Sequence, residues 1–404
     1  MMHESFCSAT CLGGMGFAME CQKISDLRTP CLLIDKIRLL KNIKRMAQKA
    51  RENSVVLRPH IKTHKCIEIA ELQREFGSIG LTVSTIDEAS IFADAGFQDI
   101  TYAVPMSANK ISAALAIADQ IELKVLVDSH HTVNLLNERS REHGIISDVL
   151  LKVDCGYHRC GVNPDSITSI KLVQKIVESS HLRFRGILTH AGHSYSVKNF
   201  EQLKEVAQQE QQVMVNFANK LENENNRFTP EIVSVGSTPT MSVTQNIMEG
   251  ITEIRPGNYV FYDYSQVSLG SCKPEDCALT ALACVVGKYD DHLVIDVGAT
   301  ALSKDLGPAT TDGTQQFGQI YEDYEENSFA TPLRIESLSQ EHGKVKFNNP
   351  SAATRVGIDS MLRILPNHSC LTANLHDYYY IVDNLEIVDK WQIRRDRPIT
   401  SACL

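Results

Sequence analysis

"VVLRPHIKTHK", residues 55–65, opens the part of the chain whose reading decides the fold. An apolar, β-branched run ends in a knot of charge made by Arg58, His60, Lys62, His64 and Lys65, with Pro59 among them. Strands buried on both faces of a parallel sheet read as short continuous apolar runs of this kind. Seven more runs follow: "IGLTV" (79–83), "ITYAV" (100–104), "LKVLV" (123–127), "VLLKV" (149–153), "FRGILTH" (184–190), "EIVSVG" (231–236) and "ITEIRPG" (251–257). Segments of helical period lie between them. In "TIDEASIFADAG", Ile86, Ala89, Ile91, Phe92 and Ala95 fall near one helical face and Gly96 supplies a stop. Eight strands in βα alternation over about 200 residues predict an α/β fold, an N-terminal (β/α)8 barrel of the TIM type. A doubly wound open sheet is the other arrangement that this alternation permits.

After about residue 275 the pattern changes. "ALTALACVVGKYD", "DHLVIDVG", "GKVKF" and "YYYIVDNLEIVDKW" read as strands joined by turns, and the helical period disappears. The expected organisation is an N-terminal extension over 1–28, the barrel over 29–270 and a C-terminal all-β domain over 271–404. Within it, "TPCLLID" (29–35) reads as a strand ahead of the barrel, 36–52 as an amphipathic helix and 306–330 as a long surface loop. The first 23 residues lack a positive n-region and are interrupted by Glu4 and Glu20, which speaks for an extension and against a signal peptide.

The chain has 404 residues, 43% hydrophobic and 22% charged, with a formal net charge of −9. That charge gives no electrostatic footing for nucleic acid. No apolar stretch approaches the roughly 20 residues of a membrane span. The 12 cysteines are irregularly spaced and include no C-x-x-C, so neither a disulfide framework nor a zinc knuckle is expected. Reduced thiols in a cytoplasmic protein are the expectation.

In a barrel of this type, chemistry collects at the C-terminal ends of the strands. There the chain carries "RPHIKTHK" after strand one, "DCGYHRCG" (154–161) after strand five, "THAGHSY" (189–195) at strand six, "VGSTPT" (235–240) at strand seven and "RPGNY" (255–259) at strand eight. In "GSTPT", Gly236 lets the backbone come close, Ser237 and Thr238 offer hydroxyls, and Pro239 suits the first position of a helix. "PGNY" can form a second nest of amides around Gly257 and Asn258. Either stretch alone reads as a capped turn. Side by side at strands seven and eight they mark the usual phosphate corner of such barrels. A phosphate site beside a strand-end lysine points to pyridoxal phosphate, with Lys62 depressed in pKa by cationic neighbours. Lys65 is the rival and is expected to point elsewhere.

These segments resemble the D-serine dehydratase and D-threonine aldolase family, part of the alanine-racemase-like fold type of pyridoxal-phosphate enzymes. The resemblance is carried by "TPCLLID", "RPHIKTHK", "VDCGYHRCGV", "VGSTPT", "RPGNYVFYD", "QEHG" and "PNHSC", which run from about residue 29 to 390. It implies that Lys62 forms the Schiff base, that Arg159 lies near the cofactor's phenolic oxygen and that Tyr195 lines the pocket. Gly236, Ser237, Thr238, Gly257 and Asn258 would hold the phosphate, and Arg255 would approach the pyridine nitrogen. In "PNHSC", His368 and Cys370 would face the same way in an extended segment and share one zinc ion, with His342 of "QEHG" as a neighbour. Aldolase-like members carry H-x-D there and dehydratase-like members H-x-C, as this chain does. The implied activity is zinc-assisted β-elimination from a small D-β-hydroxy amino acid, D-serine to pyruvate and ammonia. A 3-hydroxy-D-aspartate dehydratase and a D-threonine aldolase-type lyase are the alternatives. The resemblance further implies a homodimer in which His368 and Cys370 serve the partner chain's Lys62.

Overall fold

The computed structural model describes residues 22–308, 313–347 and 354–395. The N-terminal extension predicted over 1–28 therefore lies mostly outside the described residues.

All eight apolar runs are strands of one parallel sheet. In chain order they are Val56–Leu57, Leu81–Val83, Asp99–Pro105, Glu122–Val127, Ser147–Lys152, Leu182–Leu188, Ile232–Val235 and Glu253–Ile254, hereafter barrel strands one to eight. Strand eight pairs with strands seven and one, and the remaining strands follow in sequence round to strand two. The ring closes where the Thr82 amide donates to Pro59 O at 2.8 Å and His60 bridges Thr82. The sheet is thus a closed barrel and not the open alternative. The connecting helices start where the sequence offers caps. Thr85 and Glu88 form a capping box for Ile86–Asp94, and Ser129 caps His130–His143, which Gly144 ends at φ +79°.

The second half forms a largely antiparallel sheet of eleven strands. One of its central strands is Cys31–Asp35, which pairs antiparallel with Leu279–Lys288 and parallel with Tyr378–Asp383. Sequence position groups this strand with the barrel, whereas its hydrogen bonds place it in the other sheet. Leu32, Leu33 and Ile34 are fully buried, which requires neighbours on both edges and both faces. The stretch 306–330 also differs from the expected loop, since Gln319–Asp323 and Ser328–Phe329 form a hairpin. Ile320, Tyr321 and Tyr324 are buried there, a pattern hidden in sequence by the surrounding acids. Among the described residues two short α-helices interrupt this half, Ala299–Leu302 and Ser369–Ala373.

The barrel interior holds a chain of buried charge. Arg58 gives its Nε to Glu253 at 2.6 Å and both terminal nitrogens to Asp99 at 2.6 and 2.9 Å. Lys124 Nζ adds a third contact to Asp99 at 2.7 Å. These residues come from strands three, four and eight and from the position just after strand one, so their contacts tie four staves of the barrel together. Burial would penalise the Arg58 charge, but Glu253 and Asp99 outweigh it and its pKa rises. Removing one partner of such a set leaves the others buried and unpaired. Arg58→Met is expected to lower the unfolding free energy by about 3–5 kcal/mol, measured by urea denaturation against the parent.

Candidate active site

Strand one runs into a single 3-10 turn, Ile61–Thr63, capped by His60, whose Nδ1 faces the Lys62 amide at 3.5 Å. The strand-eight loop lies directly against this turn. A Cβ at Gly257 would stand 2.7 Å from His60 O, so only glycine permits the approach. Lys62 points into the open mouth, yet protein crowds it. Lost hydration lowers its pKa, Arg159 and Arg255 add to the fall, and Cys370 and Glu88 oppose it. Lys65 turns away at φ +47° and is held by Asn374 Oδ1 at 2.6 Å and Glu88 at 3.6 Å. Of the two lysines, Lys62 is the one in the mouth.

Other strand ends deliver more positive charge. Lys152, buried at the end of strand five, has its pKa lowered to about 8 by burial, with Arg255 and Arg159 adding to the effect. Arg255 is buried, donating Nε to Ser234 Oγ at 2.6 Å and a terminal nitrogen to Thr189 O. Burial beside these cations keeps His60 and His190 well below the usual histidine pKa, hence neutral. Tyr195 stands on the turn after strand six with part of its ring open to the mouth; its hydroxyl is near the Thr238 amide, where crowding by protein raises its pKa.

At the expected phosphate corner the glycine–serine turn is partly occupied by the chain itself. Gly236, at φ +106°, donates its amide to Glu210 at 3.1 Å. Ser237 bonds Ser194 Oγ at 3.1 Å and caps the following turn through Thr240, while Thr238 Oγ1 accepts the Tyr259 amide at 3.0 Å. Gly236 therefore shapes the turn without offering its own N–H. The Gly257 and Asn258 amides, by contrast, have no acceptor among the described residues, and Asn258 Oδ1 is buried without a partner among them. These groups, with Lys62 nearby, fit an anionic aldehyde cofactor such as pyridoxal phosphate.

His368 and Cys370 do not lie in an extended strand. His368 caps the helix Ser369–Ala373 and Cys370 is in its first turn, but the two side chains still meet. His368 Nδ1 faces Asp305 Oδ2 at 3.2 Å, which leaves the other ring nitrogen for Cys370 or a metal. Burial would lower the His368 pKa, but Cys370 and Asp305 hold it up at about 11. Burial would raise the thiol, but His368 and the Thr63 hydroxyl bring it down. A sulfur with a lowered pKa beside a carboxylate-anchored imidazole is a donor set suited to zinc. His342 is not brought into this set. It sits exposed in a hairpin turn, its carbonyl accepting the Ser339 amide. Among the described residues no cluster of three or more His, Cys, Asp or Glu side chains could hold a metal ion, so the pair would supply two protein donors.

Cys370 Sγ lies within hydrogen-bond distance of Thr63 Oγ1, 3.2 Å away, in one chain. The expected service to a partner's Lys62 is thereby corrected, because the pair stands beside the Lys62 turn of its own chain. Three contributors escaped the sequence reading. Thr63 and Asp305 carry no local signal. Glu210 does carry one: it interrupts the apolar stripe Leu203, Ala207, Met214, Phe217 and Leu221 of helix Phe200–Glu224. There it accepts the Ala191 and Gly236 amides at 3.1 Å and the Thr240 hydroxyl at 2.9 Å, tying the strand-six and strand-seven loops together.

Comparison with known proteins fits this geometry. Residues 34–265 match the alanine racemase N-terminal domain and residues 278–382 a putative serine dehydratase domain. The chain is similar to the D-serine dehydratase of Dictyostelium discoideum, 36% identical over 89% of this chain and 95% of that one. It is also similar to the D-threo-3-hydroxyaspartate dehydratase of a Delftia strain, 35% identical over 91% and 97%. A mutant of a D-threo-3-hydroxyaspartate dehydratase, solved in a metal-free form, superimposes with a TM-score of 0.84 at 34% identity, covering 92% of this chain and 98% of that one.

The lowered pKa gives Lys62 a larger neutral fraction near pH 8 than an ordinary lysine has, and the neutral amine is the nucleophile. Limiting acetic anhydride on the cofactor-free protein at pH 8 is expected to acetylate Lys62 well before Lys65, read by peptide mass spectrometry.

Proposed function

Because the chain belongs to the family that joins an alanine racemase N-terminal domain to a serine dehydratase domain, we propose that it is a pyridoxal-phosphate- and zinc-dependent D-serine dehydratase, a lyase. The observation that carries the proposal is the 3.2 Å contact from Cys370 to Thr63, which sets the His368–Cys370 pair beside Lys62. Pyridoxal phosphate would be held by Lys62, by the Gly257 and Asn258 amides and by the Ser237–Thr238 turn, with Arg159 toward its phenolic oxygen, Tyr195 lining the pocket and Gly236 shaping the corner. When bound, it supplies an aldehyde that joins an amine and a ring that accepts the electron pair left at the α-carbon. Zinc on His368 and Cys370 would supply a Lewis acid for the β-hydroxyl.

The chain's own residues do the rest. Lys62 Nζ, neutral more readily than an ordinary lysine, takes the α-proton of the D-amino acid. Thr63 and His368 bond the Cys370 sulfur and lower its pKa. Asp305 fixes the His368 ring so that its free nitrogen faces the site. Neutral His60 and His190 line the mouth without adding charge. Loss of water from the β-carbon leaves an enamine, which hydrolyses to pyruvate and ammonia. Cysteine at 370, where a hard-ion site would carry a carboxylate, favours dehydration over aldol cleavage. Dehydration of 3-hydroxy-D-aspartate is the second reading, supported by the Delftia relative. The same proposal gives the cofactor to the region 29–270 and the metal to 271–404, with a cytoplasmic homodimer as the working form. Among the described residues no helix is long and apolar enough to cross a membrane.

The test compares pyruvate release from D-serine, D-threonine and 3-hydroxy-D-aspartate, with borohydride trapping of the cofactor on the protein. The expected result is greatest turnover with D-serine, a pyridoxyl label on Lys62, and loss of turnover but not of the label after chelation. Absence of pyruvate from D-serine in the zinc-loaded protein would sink the proposal. A second expectation concerns the residue behind the histidine: Asp305→Asn should weaken zinc binding about 10–100-fold, read by competition with a chromophoric chelator, with the Lys62 label retained.

A further inference from the structure

The loop 154–161 is built to present two side chains. Its base is closed by Asp154 N to Val162 O at 3.0 Å and Val162 N to Lys152 O at 2.9 Å. Gly161 completes the closure at φ +110°, where a Cβ would stand 2.7 Å from Asp154 N. Inside the loop the Asp154 carboxylate accepts the amides of Gly156 and His158 at 2.9 and 3.0 Å, and faces His158 Nδ1 at 2.9 Å. His158 takes φ +56°, which turns the chain between Tyr157 and Arg159. The Arg159 guanidinium then lies over the Tyr157 ring, 5.0 Å from its centroid. Among the described residues Arg159 has no carboxylate within ion-pair distance, and the Tyr157 hydroxyl has no hydrogen-bond partner.

The Tyr157 ring is itself seated. It stacks on His193 at 6.1 Å and meets His190 edge-on at 6.4 Å, both from the strand-six turn. Below it is Gly192, where a Cβ would stand 2.3 Å from Tyr157 Cε1. Any side chain at 192 must push the ring out of its seat. The cation is thus held by a ring face, and the ring by a position without a side chain. An acid in place of the ring would neutralise Arg159. An aromatic face holds it and leaves its N–H groups free for an incoming anion.

We propose that Tyr157 is the positioning residue for Arg159, seated on Gly192, so that the guanidinium is kept in the mouth uncompensated and available to an anionic oxygen of the cofactor or substrate. The ring does this and the hydroxyl does not. The catalytic arm of the test rests on the dehydratase reading above; the spectroscopic arm does not.

The first arm uses the full chain labelled with 15N-arginine, with the Arg159 Nε–Hε resonance identified by its loss in Arg159→Lys. A proton under an aromatic face is shifted upfield. The expected result is an upfield resonance in the parent and in Tyr157→Phe, and an ordinary shift in both Tyr157→Leu and Gly192→Ala. Since Gly192→Ala only displaces a ring, it serves if Tyr157→Leu fails to fold. An Arg159 resonance unmoved by loss or displacement of the ring would overturn the proposal. The second arm measures kcat/KM of the holoenzyme for D-serine. Tyr157→Phe should match the parent, and Tyr157→Leu should fall about fivefold, the size of one exposed cation–π contact. In an Arg159→Leu background, Tyr157→Leu should cost nothing further. An equal loss in both backgrounds would show that Tyr157 acts independently of Arg159 and would overturn the assignment. A parent without D-serine turnover would count against the dehydratase reading alone, and the resonance would still decide the role of Tyr157.

Discussion

The hydrogen-bonded seat of strand Cys31–Asp35 is the constraint on which the rest depends. It is the first long strand of the described chain, yet it lies between Leu279–Lys288 and Tyr378–Asp383. Its buried leucines and isoleucine contribute roughly 1.5–3 kcal/mol each by area removed from water. Asp35 then caps helix Lys36–Glu52 by accepting the Arg38 amide at 2.9 Å, so the second sheet continues directly into the first barrel helix. On that helix the buried Asn42 donates to Val260 O and Asp276 O at 3.2 and 2.7 Å. One side chain thereby joins the strand-eight loop to the connection between the two sheets. The same sheet reaches the lysine turn, where Tyr379 Oη donates to His64 O at 2.9 Å and the Arg394 amide to Lys65 O at 2.7 Å. The approach of Cys370 to Thr63 follows from this docking.

Within the mouth, charge is sorted by depth. Lys62, Lys152, Arg159 and Arg255 converge on it, and His60 and His190 stay neutral. The acids stand behind them. Glu253 is joined to Arg255 through Ser234, whose hydroxyl donates to Glu253 at 2.6 Å and accepts from Arg255 at 2.6 Å. Glu210 spends its oxygens on backbone amides and a hydroxyl. The site therefore presents positive potential and free amides to whatever enters, while its counter-charges hold the walls. Such an arrangement suits a phosphate-bearing cofactor and a carboxylate-bearing substrate.

Much of this was legible before folding. The eight apolar runs carry the period of buried parallel strands, and all eight are barrel strands. The prominence of Lys62 was legible too, because a lysine among His and Arg at a strand end has no ordinary surface reason. The metal pair was legible as residues but not as geometry. An H-x-C segment read as extended turned out to be a helix cap and its first turn, since backbone conformation there is set by packing against Asp263 and Thr63, to which Ser369 and Cys370 bond.

By itself the sequence determined the strand count, the closed barrel's alternation, the change to β structure after about residue 275 and the identity of the lysine at the first strand end. These are local properties: period, composition and the residue types at element ends, each readable within a window of about ten residues. Only the tertiary structure decided which sheet owns Cys31–Asp35, that Gly236 gives its amide to Glu210, that Asp305 stands behind His368 and that one chain brings Cys370 to its own lysine turn. Those outcomes depend on contacts between residues far apart in sequence. No local pattern encodes them, because a backbone donor or a carboxylate takes whichever partner the packed chain brings within 3 Å or so.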